Sequence, residues 1–266
     1  MREDKMAILE RCDTGAIAQL TMNAPERLNC LSDEMLAALQ SELDQIAADP
    51  KIRVVTLAGA GKAFCAGHDL KQMTAGRTSD DKGRSYFADL FQRCSNLMLT
   101  IQSLPQPVIA QVHGIATAAG CQLVATCDMA IAAEGTRFGV NGINIGLFCS
   151  TPMVALSRNI PRKKAFEMLT TGQFLTATEA EAAGLVNRVV TPELLDQETL
   201  KLAETVAGKL GSVVKIGKEA FYKQATMPTE QAYDYAADVM VQNMLFQDTE
   251  EGIQAFLDKR APNWSQ

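Results

Sequence analysis

The sequence predicts a mixed α/β chain, with its strands in the first two thirds and helices in the last third. Three observations carry that expectation. Short β-rich runs alternate with helical periodicity from residue 8 to residue 190. Four helical patterns follow, at 192–210, 213–225, 229–246 and 249–258. No Pro/Ser linker, low-complexity tract or fixed-period repeat divides the 266 residues. Residues 1–195 are therefore expected to form a core, and residues 196–266 a helical region that packs on a neighbouring copy.

Each element has a local cause. Ile8–Cys12 and Ala16–Met22 are β-runs around the turn signal Asp13-Thr14-Gly15, which makes a hairpin. Ser32-Asp33-Glu34 then supplies a cap and acids ahead of Met35, Leu36, Leu39, Leu43 and Ile46, spaced for one helical face. The run Ile52–Ala58 is a strand that empties into Gly59-Ala60-Gly61. Residues 70–84, poor in apolar side chains, read as a mobile surface loop. From Ser85 to Leu104 the stripe Phe87, Leu90, Phe91, Cys94, Leu97, Met98 and Ile101 predicts a helix that Pro105 stops. Val108–Val112 and Met129–Ala132 are short core strands. In the helical third, Tyr233, Ala236, Ala237, Met240 and Met244 form a stripe expected to be packed in a core or an interface.

Composition excludes several classes. Net charge is −6, with no basic cluster larger than Arg162-Lys163-Lys164, so a phosphate-backbone footprint is missing and nucleic acid is not an expected partner. No stretch approaches the roughly 18 apolar residues of a spanning helix, so no membrane partner is expected. The seven cysteines are odd in number and scattered, as suits free thiols in a reducing compartment. With two histidines and no Cys/His spacing of a zinc site, no metal is expected. The N-terminus Met1–Ala7 is mixed in charge, unlike a signal or transit peptide, which points to a cytoplasmic or already processed protein.

Two segments carry the chemistry. Phe64-Cys65-Ala66-Gly67-His68-Asp69-Leu70-Lys71 follows a β-run and opens a helix, and so does His113-Gly114 through Ala118-Ala119-Gly120. Small residues and glycine at such turns leave peptide N–H groups free to point at one oxygen. Two facing donors make an oxyanion hole, where one makes only a turn. Together with Pro107-Val108-Ile109-Ala110, Gly120-Cys121, Cys127-Asp128, Phe138-Gly139, Gly146, Thr171-Gly172, Ala183–Asn187 and Ala255-Phe256 through Lys259-Arg260, these segments resemble the enoyl-CoA hydratase/isomerase, or crotonase, family.

That resemblance implies a crotonase-like spiral of ββα units with a C-terminal helical region, assembled as a homotrimer or a dimer of trimers. It implies that the amides of His68 and Ala119 polarise the thioester carbonyl of an acyl-CoA. Ala66, His68 and Leu70 would meet the adenine through main-chain groups, with Asp69, Lys71 and Gly120 beside them. No cofactor is implied, because coenzyme A is part of the substrate. Ala119 departs from the glycine usual at its place, which narrows the slot.

Hydratases of the family carry two glutamates where this chain has Gln122 and Gly142. Neither residue titrates, so general acid–base contributions of about 100- to 10,000-fold each are lost and hydratase activity is doubtful. Three readings follow: hydration with unusual residues, decarboxylation of a malonyl-type thioester, or acyl-CoA binding without catalysis. Decarboxylation generates the enolate with no base, and Ala-Gly-His-Asp also occurs in family members that perform it. Asn141, Asn144, Cys149, Ser150 and Thr151 are expected near the missing second glutamate, with Cys149 inert for want of a base. Asp128 is expected to fix a strand end, Glu134 to sit in a surface turn, and His113 to be structural.

Overall fold

A computed structural model describes residues 7–265. The chain begins with the hairpin β1 (Leu9–Thr14) and β2 (Ile17–Met22), followed by α1 (Asp33–Ala48) and β3 (Val54–Gly59). Then come α2 (Leu70–Gly76), α3 (Arg84–Ser103), β4 (Val108–Val112), β5 (Ile115–Thr117), α4 (Ala119–Thr126), β6 (Met129–Ala133) and β7 (Arg137–Gly139). After α5 (Ser150–Asn159), α6 (Arg162–Thr171), β8 (Leu175–Thr176), α7 (Ala177–Ala182) and β9 (Arg188–Val190), four helices close the chain: α8 (Leu195–Ala207), α9 (Gly211–Gln224), α10 (Thr229–Met244) and α11 (Gln247–Leu257).

One sheet has the order β1-β2-β3-β4-β6-β9, with β1 antiparallel to β2 and every later pair parallel; a second has the order β5-β7-β8. Along the chain the strands of the second sheet interleave with those of the first, β5 between β4 and β6, and β7 and β8 between β6 and β9. The apolar face of α1 behaves as its spacing requires: Ser32 Oγ accepts from Met35 N at 3.2 Å, and Met35, Leu36, Leu39, Leu43 and Ile46 are all buried. The core between α1, α3, α4 and the first sheet holds Leu20, Leu57, Leu97, Ile101, Val108 and Leu123.

Three placements sharpen the sequence reading. Residues 70–84 are no loose loop: α2 fills the first half, and Asp81 ties the second by accepting from Gly83 N at 3.0 Å and Ser85 N at 2.8 Å. The anchoring rings come from α3, where Tyr86 and Phe87 pack over Gly76 and Gly83. The division after residue 195 falls at the first turn of α8, whose Ala203 is buried with Ile17, Val54 and Ile109 of the sheet. The stripe on α10 is not in this chain's core, since Tyr233 is 75% exposed and Met240 62%. Periodicity shows that a helix has an apolar face, and not which molecule covers it.

Asp128 stands at the head of β6 and fixes two elements. Its Oδ2 accepts from Val108 N at 2.7 Å and from Lys218 Nζ at 2.6 Å, and its Oδ1 from Tyr222 Oη at 2.8 Å. Lys218 also donates to the carbonyls of Ile101 and Gln106, at 2.8 and 3.0 Å, so its three N–H bonds are spent. Burial pulls the ammonium below its ordinary pKa, against the opposing pull of Asp128. This cluster holds α9, and with it the C-terminal helices, on the core. Among the described residues no helix is long and apolar enough to cross a membrane.

Candidate functional site

The segment 28–31 runs beside the first turn and shapes it. Ala66 N donates to Leu28 O at 3.0 Å and Leu31 N donates to Gly67 O at 2.7 Å. Cys65 pairs on the other side with Ala116, donating to Ile115 O at 3.2 Å and accepting from Thr117 N at 3.0 Å. Between these rails Gly67 takes φ +89°, a left-handed conformation that side chains resist. A Cβ built there would lie 2.9 Å from Ala118 Cβ, 3.1 Å from Thr117 O and 3.3 Å from Ala119 N. The two turns predicted from sequence therefore abut at Gly67.

The second turn has its own strain. Ala118, the residue before α4, sits at φ 50° and ψ −118°, a conformation that costs of order 1–3 kcal/mol for a residue with a side chain. It is held there by donating from its N–H to Gly139 O at 2.9 Å. The effect is to start α4 at Ala119 with its first amides unspent. Neither Ala119 N–H nor His68 N–H donates to a protein acceptor among the described residues. Gly120 lets α4 lie against the Cys65 carbonyl, where a Cβ would collide with it.

The other sequence-predicted residues fall around this junction. The Ala66 N–H is spent on Leu28 O. Asp69 caps α2, accepting from Lys71 N at 2.8 Å and Gln72 N at 3.3 Å, while its other oxygen faces Arg27 at 3.7 Å. Its carboxylate is committed to the fold, and Leu70 and Lys71 beyond it are exposed. The His68 ring lies edge-on to Phe91, 5.7 Å between centroids, with Nδ1 3.4 Å from Leu31 O. Burial pulls its pKa below the ordinary value; the Leu31 carbonyl opposes that and the Arg93 charge adds to it. The imidazole is thus neutral at pH 7, and its Nε2 is buried with no partner among the described residues. His113 is structural, with Nε2 2.8 Å from Gly61 O.

At Gln122 and Gly142, where the resemblance puts two glutamates, the structure is specific. Gln122 is 4% exposed and its Oε1 has no hydrogen-bond partner among the described residues. Gly142 is no open gap: the chain folds back so that Leu147 N donates to Gly142 O at 2.9 Å, and a Cβ at 142 would strike Leu147 O and lie 2.9 Å from Cys149 Sγ. Of the neighbours expected there, Asn141 accepts from Thr117 Oγ1 at 2.6 Å and Cys149 is buried, but Asn144 faces Gly172 beside α6 and Ser150 is exposed. Burial pushes the Cys149 thiol up, which keeps it protonated. Sequence reasoning missed Leu147, because a backbone carbonyl returning from five residues on leaves no sign in residue type. It missed Phe91 and Leu31 as the walls of His68 for a similar reason.

The family model described as "Enoyl-CoA hydratase/isomerase" matches residues 13–266. The mouse protein "Enoyl-CoA hydratase domain-containing protein 3, mitochondrial" is 45% identical over 249 residues, covering 94% of this chain and 81% of that one. Among solved structures, an enoyl-CoA hydratase from Mycobacterium smegmatis superposes with a TM-score of 0.93 at 50% identity, covering 98% of this chain and all of that one (100%). The human enoyl Coenzyme A hydratase domain-containing protein 3 gives 0.92 at 42% identity, covering 97% and 100%.

These relatives correct the cytoplasmic expectation, since the mouse and human proteins are both named mitochondrial. The expectation stood on the charge pattern of the N-terminus, most of which lies outside the described residues, and on free thiols, which report redox conditions and not an address. With a matching family model over nearly the whole chain, and a fold that superposes on solved members, this chain belongs to the enoyl-CoA hydratase/isomerase family.

Proposed function

We propose that this protein binds an acyl-CoA thioester with its carbonyl oxygen between the N–H groups of His68 and Ala119, and that hydration of an enoyl-CoA is not its main reaction. The observation that carries the reading is the contact at Gly67, which sets two unspent amides on facing turns. Peptide dipoles fixed in a dry site stabilise the charge of a thioester enolate without reorganising. The nucleotide end lies along Ala66, His68 and Leu70, with the exposed Lys71 near its phosphates. What the site lacks is a carboxylate: Gln122 is an amide, and Gly142 is covered by Leu147.

The expected outcome is that calorimetry detects binding of several CoA thioesters, while crotonyl-CoA hydration runs at least about 100-fold below that of an enzyme with an acid–base residue. Gln122→Glu alone raises the rate. Gly142→Glu does not complete the pair, because its first side-chain carbon meets a backbone carbonyl. A fast wild-type hydratase would overturn this reading, and so would the absence of heat with every thioester. Methylmalonyl-CoA belongs in the same screen, because an oxyanion slot without carboxylates also suits loss of CO2, in which the bonding pair passes directly to the enolate.

The proposed assembly is a homotrimer or a dimer of trimers. Its support is that α10 buries none of its residues in the single chain, leaving Met244 54% exposed on a helix that also carries the exposed acids Asp234 and Asp238. A cleft of about 1000 Å³ elsewhere on the surface has the opposite character, with Met153, Val154 and Phe166 beside Arg158, Arg162 and Lys163. An apolar face with acids along it suits a heterologous contact with an apolar cleft that is lined mostly by bases, and such a contact makes a ring where its rotation closes. Sedimentation at micromolar concentration is expected to show a trimer or a hexamer; a monomer would sink this assignment.

A further inference from the structure

We propose that the outer face of the first sheet carries a second binding site, separate from the acyl-CoA turns, that takes a neutral polyhydroxy ligand of monosaccharide size. Side chains alternate between the two faces along a strand. On β2, β3 and β4 one set, with Leu20, Leu57 and Val108, enters the core. The other set is apolar where α8 covers it, since Ile17, Val54 and Ile109 pack on Ala203. Farther along the strands the same rows turn polar: Gln19 lies beside Thr56 and Thr21 beside Ala58 in register, with Gln111 on β4. These residues and the first turns of α8 bound a cleft of about 500 Å³, a size within the range of small-molecule sites.

The wall of this cleft has polar groups that the fold does not use. Thr199 is 1% exposed and its Oγ1 has no partner among the described residues. The hydroxyls of Thr56, which is also buried, and of Thr21 engage no partner among them either. Buried hydroxyls are normally paired, so a wall of spare ones is completed by a polar occupant. The chemistry of the wall selects that occupant. No Lys, Arg or His lines the cleft, so an anion finds no counter-charge there. Asp196 is the one charged group; it is exposed and its Oδ1 already accepts from Gln111 Nε2 at 2.7 Å, which leaves little hold on an ammonium ion. An ammonium ion also only donates, and so cannot pair with carboxamide N–H groups. A sugar hydroxyl both donates and accepts, which matches threonine hydroxyls, carboxamides and the second Asp196 oxygen together.

Saturation-transfer NMR on the full chain tests the site, with ribose, glucose and myo-inositol as probes and succinate and putrescine as charged controls. At least one of the three polyols is expected to receive saturation, and neither control is. Thr56→Val and Thr199→Val each keep the shape of the side chain and remove its hydroxyl, and each is expected to weaken the bound polyol about 5- to 10-fold. Losing an unpaired buried hydroxyl does not cost stability, so the thermal midpoint of Thr199→Val is expected to hold or rise. Both variants are expected to match the wild type toward butyryl-CoA. No transfer to any polyol would overturn the proposal, leaving a cleft that holds solvent only. Polyol binding that is unchanged in both variants, or that excess butyryl-CoA abolishes, would overturn it too by placing the polyol elsewhere. Tighter binding of succinate or putrescine than of every polyol would show that the assigned ligand chemistry is wrong.

Discussion

Gly67→Val is expected to abolish acyl-CoA binding and any thioester chemistry, whereas His68→Ala, one residue along, keeps binding. The two substitutions separate backbone from side chain. At Gly67 the φ of +89° is hostile to a β-branched residue, and the new Cβ would press on Ala118 and on the Ala119 amide nitrogen 3.3 Å away. One side chain thus misaims both donors, when the loss of a single one typically costs about 100- to 1000-fold in rate. His68→Ala retains the peptide N–H and removes only a neutral ring packed on Phe91. Paired calorimetry with butyryl-CoA, with circular dichroism to confirm folding, checks the contrast. If Gly67→Val binds normally and His68→Ala does not, the imidazole is the ligand and the oxyanion-hole assignment is wrong.

Asp128→Ala is expected to cost about 3–5 kcal/mol of stability, because it strands the buried Lys218 ammonium without its counter-charge. The loss also frees Val108 N–H at the head of β4 and the Tyr222 hydroxyl on α9. Adding Lys218→Met to Asp128→Ala is expected to recover part of the loss, since replacing both charges by apolar groups removes the uncompensated one. Urea unfolding measures both variants. A loss below about 1 kcal/mol for Asp128→Ala would show that the cluster is surface-like despite its burial.

The elements legible in the sequence were those with local causes. The face of α1 follows from a capping serine and five apolar residues at helical spacing, and all five are buried. The two turns were legible because small residues and glycine interrupt apolar runs at the start of a helix. Features fixed by distant chain were not legible in that way. The order in residues 70–84 depends on Tyr86 and Phe87 of the following helix. Asp128 was expected to fix a strand end, but Lys218 and Tyr222, its partners 90 and 94 residues on, carry no local mark. The strained Ala118 is a further instance: alanine at positive φ runs against its own preference, and only the surrounding strands keep it there.

The carbonyl of Leu147 over Gly142 bears on how the chain can change. A missing carboxylate is ordinarily one substitution from return, and at Gln122 it is, since glutamate has the same shape. At 142 it is not. Any side chain there must first displace the backbone of residues 146–149, which is anchored by the Leu147 and Gly146 amides. The two positions are therefore unequal steps toward a two-carboxylate site. One needs a single change, whereas the other is latched by the main chain, so an acid can be introduced at 142 only after the loop itself is rebuilt.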